Sequence, residues 1–361
     1  SNTCREVAQG GRRGALMLTL NIHHPEIETF INIKRDRKKV TGANISIRLT
    51  DEFMNAVKNG SDYEQRWPID SPSPSIVRKI KAREIWDQII QAAWECAEPG
   101  LMFWDTVNNF SPSHIYKNID VAFENRTSNP CGELVMGTDS CRLLVLNLYE
   151  FVENQFKENS KFDFKKFHSY SMKAQRMMDD IIDLEIEKMD KILTKVQSDP
   201  EPQNIKQVEI DMWKEFRRVC IAGRRTGTGI TGLGDCLAAL GIRYGSDESI
   251  KMTEKIYKTL ATATYESSIV LAKERGAFPI WNYDLEKDHK FISKIIKNLD
   301  EDVQKMYKKY GRRNVALTTT APTGSLSMLS QTSSGIEPAY LLSYTRRKKI
   351  NPSDKDARVD F

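Results

Sequence analysis

The sequence is poor in the residues that build disulfide-linked or metal-centred proteins. Its 361 residues include six cysteines and five histidines. No two cysteines stand in a CxxC pair, and no cluster of cysteine and histidine has the spacing of a zinc site. We therefore expect neither a disulfide scaffold nor a structural metal, so a cysteine that takes part in chemistry acts as a thiol.

Long apolar runs and blocks of one charge are also lacking. No stretch approaches the ~20 apolar residues of a membrane span, and the first fourteen residues have no apolar core of a secretory signal. The formal net charge is +5, and acidic and basic residues alternate along the chain. The composition predicts a globular, cytoplasmic protein with no membrane and no nucleic-acid partner.

Helical periodicity dominates the chain, and short apolar strands separate the helices. Apolar spacing of three and four residues predicts helices over 82–98, 164–196, 205–222 and 247–274, and Thr50 is expected to cap a helix that ends at Gly60. Strands are predicted over 16–22, 44–49, 143–148, 315–319 and 340–344. The alternation of strand and helix favours a parallel α/β architecture.

A thiol lies between an amide and a carboxylate in Asn129-Pro130-Cys131-Gly132-Glu133. In an extended segment the side chains of residues 129, 131 and 133 would project to one face. The alternative is a turn with a buried cysteine, since free cysteines are often core residues. Cys141 also has two interpretations: it is either the first residue of a buried strand or a redox-active thiol.

Three glycine-containing segments are further candidates for binding. The turn 321–327 concentrates hydroxyls before a predicted helix and would suit a phosphate. The segment 9–14 is a nucleotide-sensing loop, an RNA contact or a solvated turn. The glycines of 227–234 follow a helix-like stretch rather than a strand, so we interpret them as allowing close helix packing and not as a dinucleotide site.

Taken together and in order, six segments resemble the catalytic subunit of ribonucleotide reductase. They are GGRRGALMLTLNIHHPEIETFI, NISIRLTDEFMNAV, NPCGE, Cys141 with Asn147-Leu148, RRTGTGITGLGDCLAALGIRYGS and APTGSLSMLSQTSSGIEPAYLLSYTRR. The resemblance implies a ten-stranded α/β barrel in which a central finger loop carries the radical cysteine. Residues 1–361 would then be part of a single barrel domain whose N-terminal and C-terminal parts lie outside this sequence.

The resemblance also implies roles for individual residues. Cys131 would hold a thiyl radical that takes the 3′ hydrogen of a ribonucleotide, Glu133 would be the base at the 3′ hydroxyl, and Asn129 would bind the sugar. Cys141 would be one of two reducing cysteines. The substrate phosphates would bind at Thr323, Gly324, Ser325 and Ser327, and the effector-sensing specificity loop would contain Gln9, Gly10, Gly11, Arg12 and Arg13.

Cofactor and partners follow from the same resemblance. The Pro-Cys-Gly-Glu form of the finger loop is similar to that of the adenosylcobalamin-dependent reductases; the alternative is a radical supplied by a diiron subunit. The implied partners are a ribonucleoside diphosphate or triphosphate, a dNTP or ATP effector, a second copy in a dimer and a complementary reductase chain. The alternative function is a non-catalytic module, derived from a reductase, that binds nucleotides or serves in assembly.

Two positions depart from the family pattern. The second reducing cysteine of the family lies upstream of the GGRRG segment, and Cys4 does not occupy its position. After Cys141 the family commonly has Asn-Leu-Gly-Ser, whereas this chain has Arg142-Leu143-Leu144-Val145. We therefore expect this chain to be inactive without the parts that it lacks.

Overall fold

The fold is mixed α/β. The computed structural model describes residues 8–9, 12–36, 39–341, 343, 345–348 and 358–360. The strands are β1 (Ala8–Gln9), β2 (Arg12–Arg13), β3 (Met17–Asn21), β4 (Asn44–Leu49), β5 (Asp62–Trp67), β6 (Ile76–Lys81), β7 (Gly100–Phe103), β8 (Thr127–Ser128), β9 (Val135–Met136), β10 (Leu144–Asn147), β11 (Val152–Glu153), β12 (Lys161–Phe162), β13 (Thr228–Thr231), β14 (Arg346–Lys348) and β15 (Arg358–Asp360).

The α-helices are α1 (Ile27–Asn32), α2 (Asp51–Asn59), α3 (Ala82–Cys96), α4 (Trp104–Phe110), α5 (Phe164–Ser198), α6 (Gln203–Gly223), α7 (Leu233–Ala239), α8 (Asp247–Arg275), α9 (Tyr283–Glu286), α10 (Lys290–Ile296), α11 (Glu301–Tyr310) and α12 (Gly324–Ser330). None of the helices within the described ranges is both long and apolar enough to cross a membrane. The chain divides into two compact units, which are residues 1–110 with 127–135 and 341–361, and residues 111–126 with 136–340.

The first unit contains a parallel sheet in the order β3-β4-β7. The central strand β4 buries Ile45, Ile47 and Leu49, which alternate along the strand and therefore project to the same face of the sheet. Helices α2 and α3 pack on this sheet through apolar side chains that include Phe53 and Ile85. The predicted strand-helix-strand order and its parallel pairing are confirmed here.

Helix α2 begins and ends as its sequence predicts. The hydroxyl of Thr50 accepts a hydrogen bond from the backbone N–H of Phe53 at 3.2 Å, which satisfies a donor of the first turn. Gly60 ends the helix with φ +64°, a backbone conformation that glycine adopts without strain.

The second unit is mostly helical. Its long helix α5 packs against α6 and α8, and β10 pairs in parallel with β13, with Leu144 opposite Thr228. The prediction of a strand over 315–319 is wrong in part. Within it, Thr318 forms an isolated parallel bridge with Thr228. The segment still accompanies β13, because Thr228 N–H donates to Leu317 O at 2.8 Å and Thr319 N–H donates to Thr228 O at 3.1 Å.

Gly227 and Gly229 lie against neighbouring backbone rather than against a helix, contrary to our prediction. A Cβ on Gly229 would lie 2.5 Å from the carbonyl oxygen of Thr319, and one on Gly227 would lie 2.7 Å from that of Arg142. These glycines therefore let extended backbones approach one another, and the prediction of close helix packing at this point is wrong. β13 contains too few apolar residues to be distinguished from a loop by its sequence.

The sheets formed by the described residues contain two or three strands each, and no closed barrel forms among them. The predicted strand over 340–344 is not found at Tyr340 and Leu341, which lie in a bend and an irregular segment. Leu342 and Tyr344 lie outside the described residues.

Candidate active site

Cys131 lies at the tip of a short hairpin. Strands β8 and β9 pair with each other, Asn129 N–H donates to Leu134 O at 3.1 Å, and Gly132 N–H donates to Asn129 O at 3.0 Å. Gly132 has φ +79°, so the chain turns within 129–133. The expectation of an extended segment is therefore wrong, and so is the alternative of a buried cysteine, because Cys131 is exposed.

The hairpin is fastened to the parallel sheet of the first unit. Thr19 of β3 donates through its hydroxyl to the hydroxyl of Thr127 at 3.2 Å. Ser128 is buried, and its hydroxyl donates to Asn129 O at 3.0 Å. The hairpin base is thus held by side-chain hydrogen bonds, while its tip projects Cys131.

The environment of Cys131 favours the thiol over the thiolate. Partial desolvation raises the pKa of Cys131, and the negative charge of Glu133 raises this pKa further. Glu133 itself is half-buried. The charge of Glu133 therefore acts on the Cys131 thiol across a turn. The two side chains do not project from one face of an extended strand, as the sequence predicted.

Asn129 contributes to the shape of the hairpin. Its side-chain oxygen Oδ1 accepts a hydrogen bond from Leu134 N–H at 3.1 Å. Together with the backbone bond in the opposite direction, this contact closes the turn around Cys131. The amide group of Asn129 is thereby held in one orientation beside the cysteine.

Cys141 is exposed and precedes β10 by three residues. It is therefore not the first residue of a buried strand. Its two sequence neighbours are anchored in the second unit, since Arg142 is buried and Ser140 donates through its hydroxyl to Glu185 Oε1 at 2.5 Å. The thiol is accessible on a segment that is fixed on both sides.

The turn at Thr323 opens onto helix α12, as predicted. Thr323 and Ser327 are buried and make internal hydrogen bonds: the hydroxyls of Thr323 and Thr231 lie 2.6 Å apart, and the Ser327 hydroxyl donates to Gly324 O at 2.9 Å. Gly324 and Ser325 are exposed. The exposed part of this turn is thus the first turn of the helix, and the two buried hydroxyls shape the loop beneath it.

The predicted specificity loop lies in a second hairpin. β1 pairs with β2 in antiparallel fashion, with Gln9 opposite Arg12 and Ala8 opposite Arg13. Gly10 and Gly11 lie outside the described residues.

The sequence did not reveal the charged cluster behind Cys141. Arg142 stands in an otherwise apolar run and Glu185 lies in the middle of a charged helix, yet the two side chains form an ion pair. The one available signal was the arginine itself, a charged residue directly before a predicted strand. Within the described ranges no group of three or more His, Cys, Asp or Glu side chains is arranged to hold a metal ion.

Comparisons with known proteins identify the family of this chain. A family profile described as ribonucleotide reductase, barrel domain, matches residues 1–354. The chain is 34% identical over 343 residues to the vitamin B12-dependent ribonucleoside-diphosphate reductase of Thermoplasma acidophilum, an alignment that covers 94% of this chain and 37% of that protein. The enzyme of the same name from Mycobacterium tuberculosis is 30% identical, with 94% and 41% covered.

A third relative is the vitamin B12-dependent ribonucleotide reductase of Streptomyces clavuligerus, which is 27% identical over 383 residues, with 93% of this chain and 36% of that protein covered. The chain thus spans 36% to 41% of the length of these three relatives. The family profile matches nearly the whole chain, and the three relatives align with 93% or 94% of it. The chain belongs to the ribonucleotide reductase family, as a portion of a catalytic subunit that matches the barrel-domain profile.

Proposed function

We propose that this chain carries the reaction centre of an adenosylcobalamin-dependent ribonucleotide reductase. The observation that supports the proposal most strongly is the exposed Cys131 at a hairpin tip beside Glu133, in a chain of this family. In the proposed fold, the hairpin 127–136 is the finger loop of a ten-stranded α/β barrel. The chain is part of that single domain, and a complementary chain or segment supplies the remainder.

The proposed reaction starts with a hydrogen atom that moves from C3′ of the ribose to the thiyl radical of Cys131. Glu133 accepts the proton of the 3′ hydroxyl, and the 2′ hydroxyl leaves as water with a proton from one of two reducing thiols. The two thiols supply two electrons in total: one arrives with the hydrogen atom that C2′ gains, and the other reduces C3′ while Glu133 returns its proton to the 3′ oxygen. The two sulfurs then form a disulfide. Cys141 is one of these thiols, and the other is a cysteine thiol outside this sequence. Cys131 finally returns its hydrogen to C3′.

Substrate and effector would contact three other parts of the chain. The amide of Asn129 donates to a sugar oxygen, while the first turn of α12, at the exposed residues Gly324 and Ser325, binds the phosphates. Thr323 and Ser327 hold that turn in shape from below, and Gly324 allows close approach of the phosphate. The hairpin with Gln9, Arg12 and Arg13 senses the dNTP or ATP effector in a dimer of the complete enzyme.

Adenosylcobalamin supplies a carbon-centred radical when it is bound. The residues of this chain fit that chemistry at Cys131, whose sulfur is exposed and whose raised pKa keeps a hydrogen on it near neutral pH. The relatives named vitamin B12-dependent support this cofactor, so we do not propose the diiron alternative. Two of them are named diphosphate reductases, which favours a ribonucleoside diphosphate as substrate.

Replacement of the cysteine sulfur tests the proposal. In the complete enzyme, Cys131→Ser should abolish deoxyribonucleotide formation and leave nucleotide affinity within about twofold, since the change removes one sulfur without removing a charge. Cys96→Ala is the matched control, because Cys96 is a half-buried cysteine on α3. If the wild-type complete enzyme bound nucleotides without reducing them, the non-catalytic module would be the correct interpretation.

A further inference from the structure

One carboxylate accepts hydrogen bonds from the residues on both sides of Cys141. Ser140 donates through its hydroxyl to Oε1 of Glu185 at 2.5 Å, and Nε of Arg142 donates to Oε2. Glu185 belongs to the long helix α5. The residues before and after Cys141 are therefore attached to a helix that is distant in the sequence.

Arg142 is held by more than this ion pair. Its side chain is 4% exposed. Its Nη1 donates to Asp139 Oδ1 at 3.1 Å and to Arg225 O at 3.0 Å, and its Nη2 donates to Cys220 Sγ at 3.1 Å. All three guanidinium nitrogens are thus engaged, which fixes the side chain in one place.

The cluster is balanced in charge and largely shielded from water. Asp139 is 2% exposed and pairs with both Arg142 and Arg225, while Glu185 is 23% exposed. Two carboxylates therefore face two guanidinium groups. Removal of Glu185 would leave Arg142 to share Asp139 with Arg225, and buried charges that lose a partner rearrange or take up water.

We propose that Glu185 and Arg142 are positioning residues that hold Cys141 in place for the reductive half of the reaction. This inference rests on the proposed function, in which Cys141 supplies one of the two reducing thiols. A disulfide forms only when its two Cβ atoms lie about 3.5–4.5 Å apart, and a misplacement of about 1 Å can slow a reaction about a hundredfold. A clamp on both neighbours of the cysteine restricts its position without covering the thiol.

The arrangement depends on the arginine at position 142. An asparagine is too short to span from the Cys141 segment to Asp139, Glu185 and Cys220 together. Arg142 is therefore the residue that connects the Cys141 segment to these three partners.

The test is a single turnover of the complete enzyme without an added reductant. Product is measured together with the fraction of Cys141 in disulfide form, by alkylation and mass spectrometry. Glu185→Ala should slow both about tenfold, and Glu185→Gln should slow them less because an amide can still bond to Ser140; a bond to a charged group is worth roughly that much. Glu274→Gln is the matched control. It breaks an exposed ion pair between Glu274 of α8 and Arg176, which lies on α5, the helix that also carries Glu185.

Two further readouts separate positioning from a general structural role. Amide hydrogen exchange over 139–142 should accelerate in Glu185→Ala, while nucleotide affinity and the melting temperature stay close to those of Glu274→Gln. Wild-type rates of product and disulfide in Glu185→Ala, or unchanged exchange over 139–142, would overturn the inference. So would a joint loss of nucleotide binding and thermal stability, which would assign the cluster to the fold alone.

Cys141→Ser distinguishes a failure of the inference from a failure of the proposed function. If Cys141→Ser stops turnover and Glu185→Ala does not slow it, the positioning role is wrong and the proposed function stands. If Cys141→Ser turns over at the wild-type rate, the proposed role of Cys141 fails, and the inference fails with it.

Discussion

Removal of the Glu286 carboxylate should destabilise the second unit more than any surface change. Glu286 and Arg312 each have fully buried side chains, and Nη2 of Arg312 lies 2.6 Å from Oε1 of Glu286. Three further donors reach the same carboxylate: the hydroxyls of Tyr116 at 2.6 Å and Tyr307 at 2.9 Å, and Nε1 of Trp281 at 3.2 Å. Loss of the carboxylate would leave a buried cation and these donors without their acceptor.

The magnitude follows from that burial. Breaking a buried ion pair by removing one partner costs about 3–5 kcal/mol of the free energy of unfolding. For a unit of roughly two hundred residues this corresponds to a fall in melting temperature of about 6–20 °C. The damage should extend to the segment before the Thr323 turn, because Nη1 of Arg312 also donates to the carbonyl oxygens of Asn314 and Val315, at 2.5 and 2.9 Å.

Urea denaturation followed by circular dichroism measures the effect in Glu286→Ala and in Glu286→Gln, which retains the shape but not the charge. Asp302→Asn is the control, since its pair with Lys305 joins side chains that are 91% and 73% exposed; exposed pairs contribute up to about 1 kcal/mol. If Glu286→Ala lowered the free energy of unfolding by less than about 1 kcal/mol, the reasoning that this carboxylate neutralises the buried Arg312 guanidinium would be refuted.

Three further predictions concern other parts of the chain. Gly229→Ala should cost about 1–3 kcal/mol by chemical denaturation, because a Cβ there would collide with Thr319 O; wild-type stability would mean that the two backbones separate freely. Alkylation of Cys131 should have its pH midpoint above that of an ordinary cysteine, and Glu133→Gln should move it to lower pH because the carboxylate raises the thiol pKa; an unmoved midpoint would show that the charge is not felt. Thr50→Ala should lose about 1 kcal/mol, with Thr50→Ser close to wild type, as thermal denaturation would reveal.

The helices were predictable from the sequence because their signals are local. The predicted helix 82–98 is α3, Ala82–Cys96, and 247–274 is α8, Asp247–Arg275, which ends at Gly276 with φ +84°. Cap residues and apolar spacing lie within the segment that they define, so no knowledge of distant contacts is needed. Strand 44–49 was predictable for the same reason. Its apolar residues alternate with polar ones in the local sequence, and these apolar residues are all buried in β4.

The errors arose where a structure depends on distant partners. Segment 315–319 has the composition of a strand, yet Thr318 alone forms a bridge, and β13 is a strand although glycine and threonine dominate it. Whether a short segment becomes a strand depends on its neighbour in the sheet, which the local sequence does not specify. The ion cluster of Arg142 with Glu185 was hidden for the same reason, because its members are 43 residues apart.

The candidate site was predicted by residue type and resemblance, and the structure adds a physical reason for one of its features. A cysteine that acts as a nucleophile needs a lowered pKa, which a nearby cation or a helix N-terminus provides. The surroundings of Cys131 do the opposite, since both desolvation and the charge of Glu133 raise its pKa. A raised pKa weakens a nucleophile but preserves the S–H bond that a hydrogen-atom donor requires. The carboxylate beside Cys131 therefore fits radical chemistry at the sulfur, and it argues against hydrolysis by a thiolate.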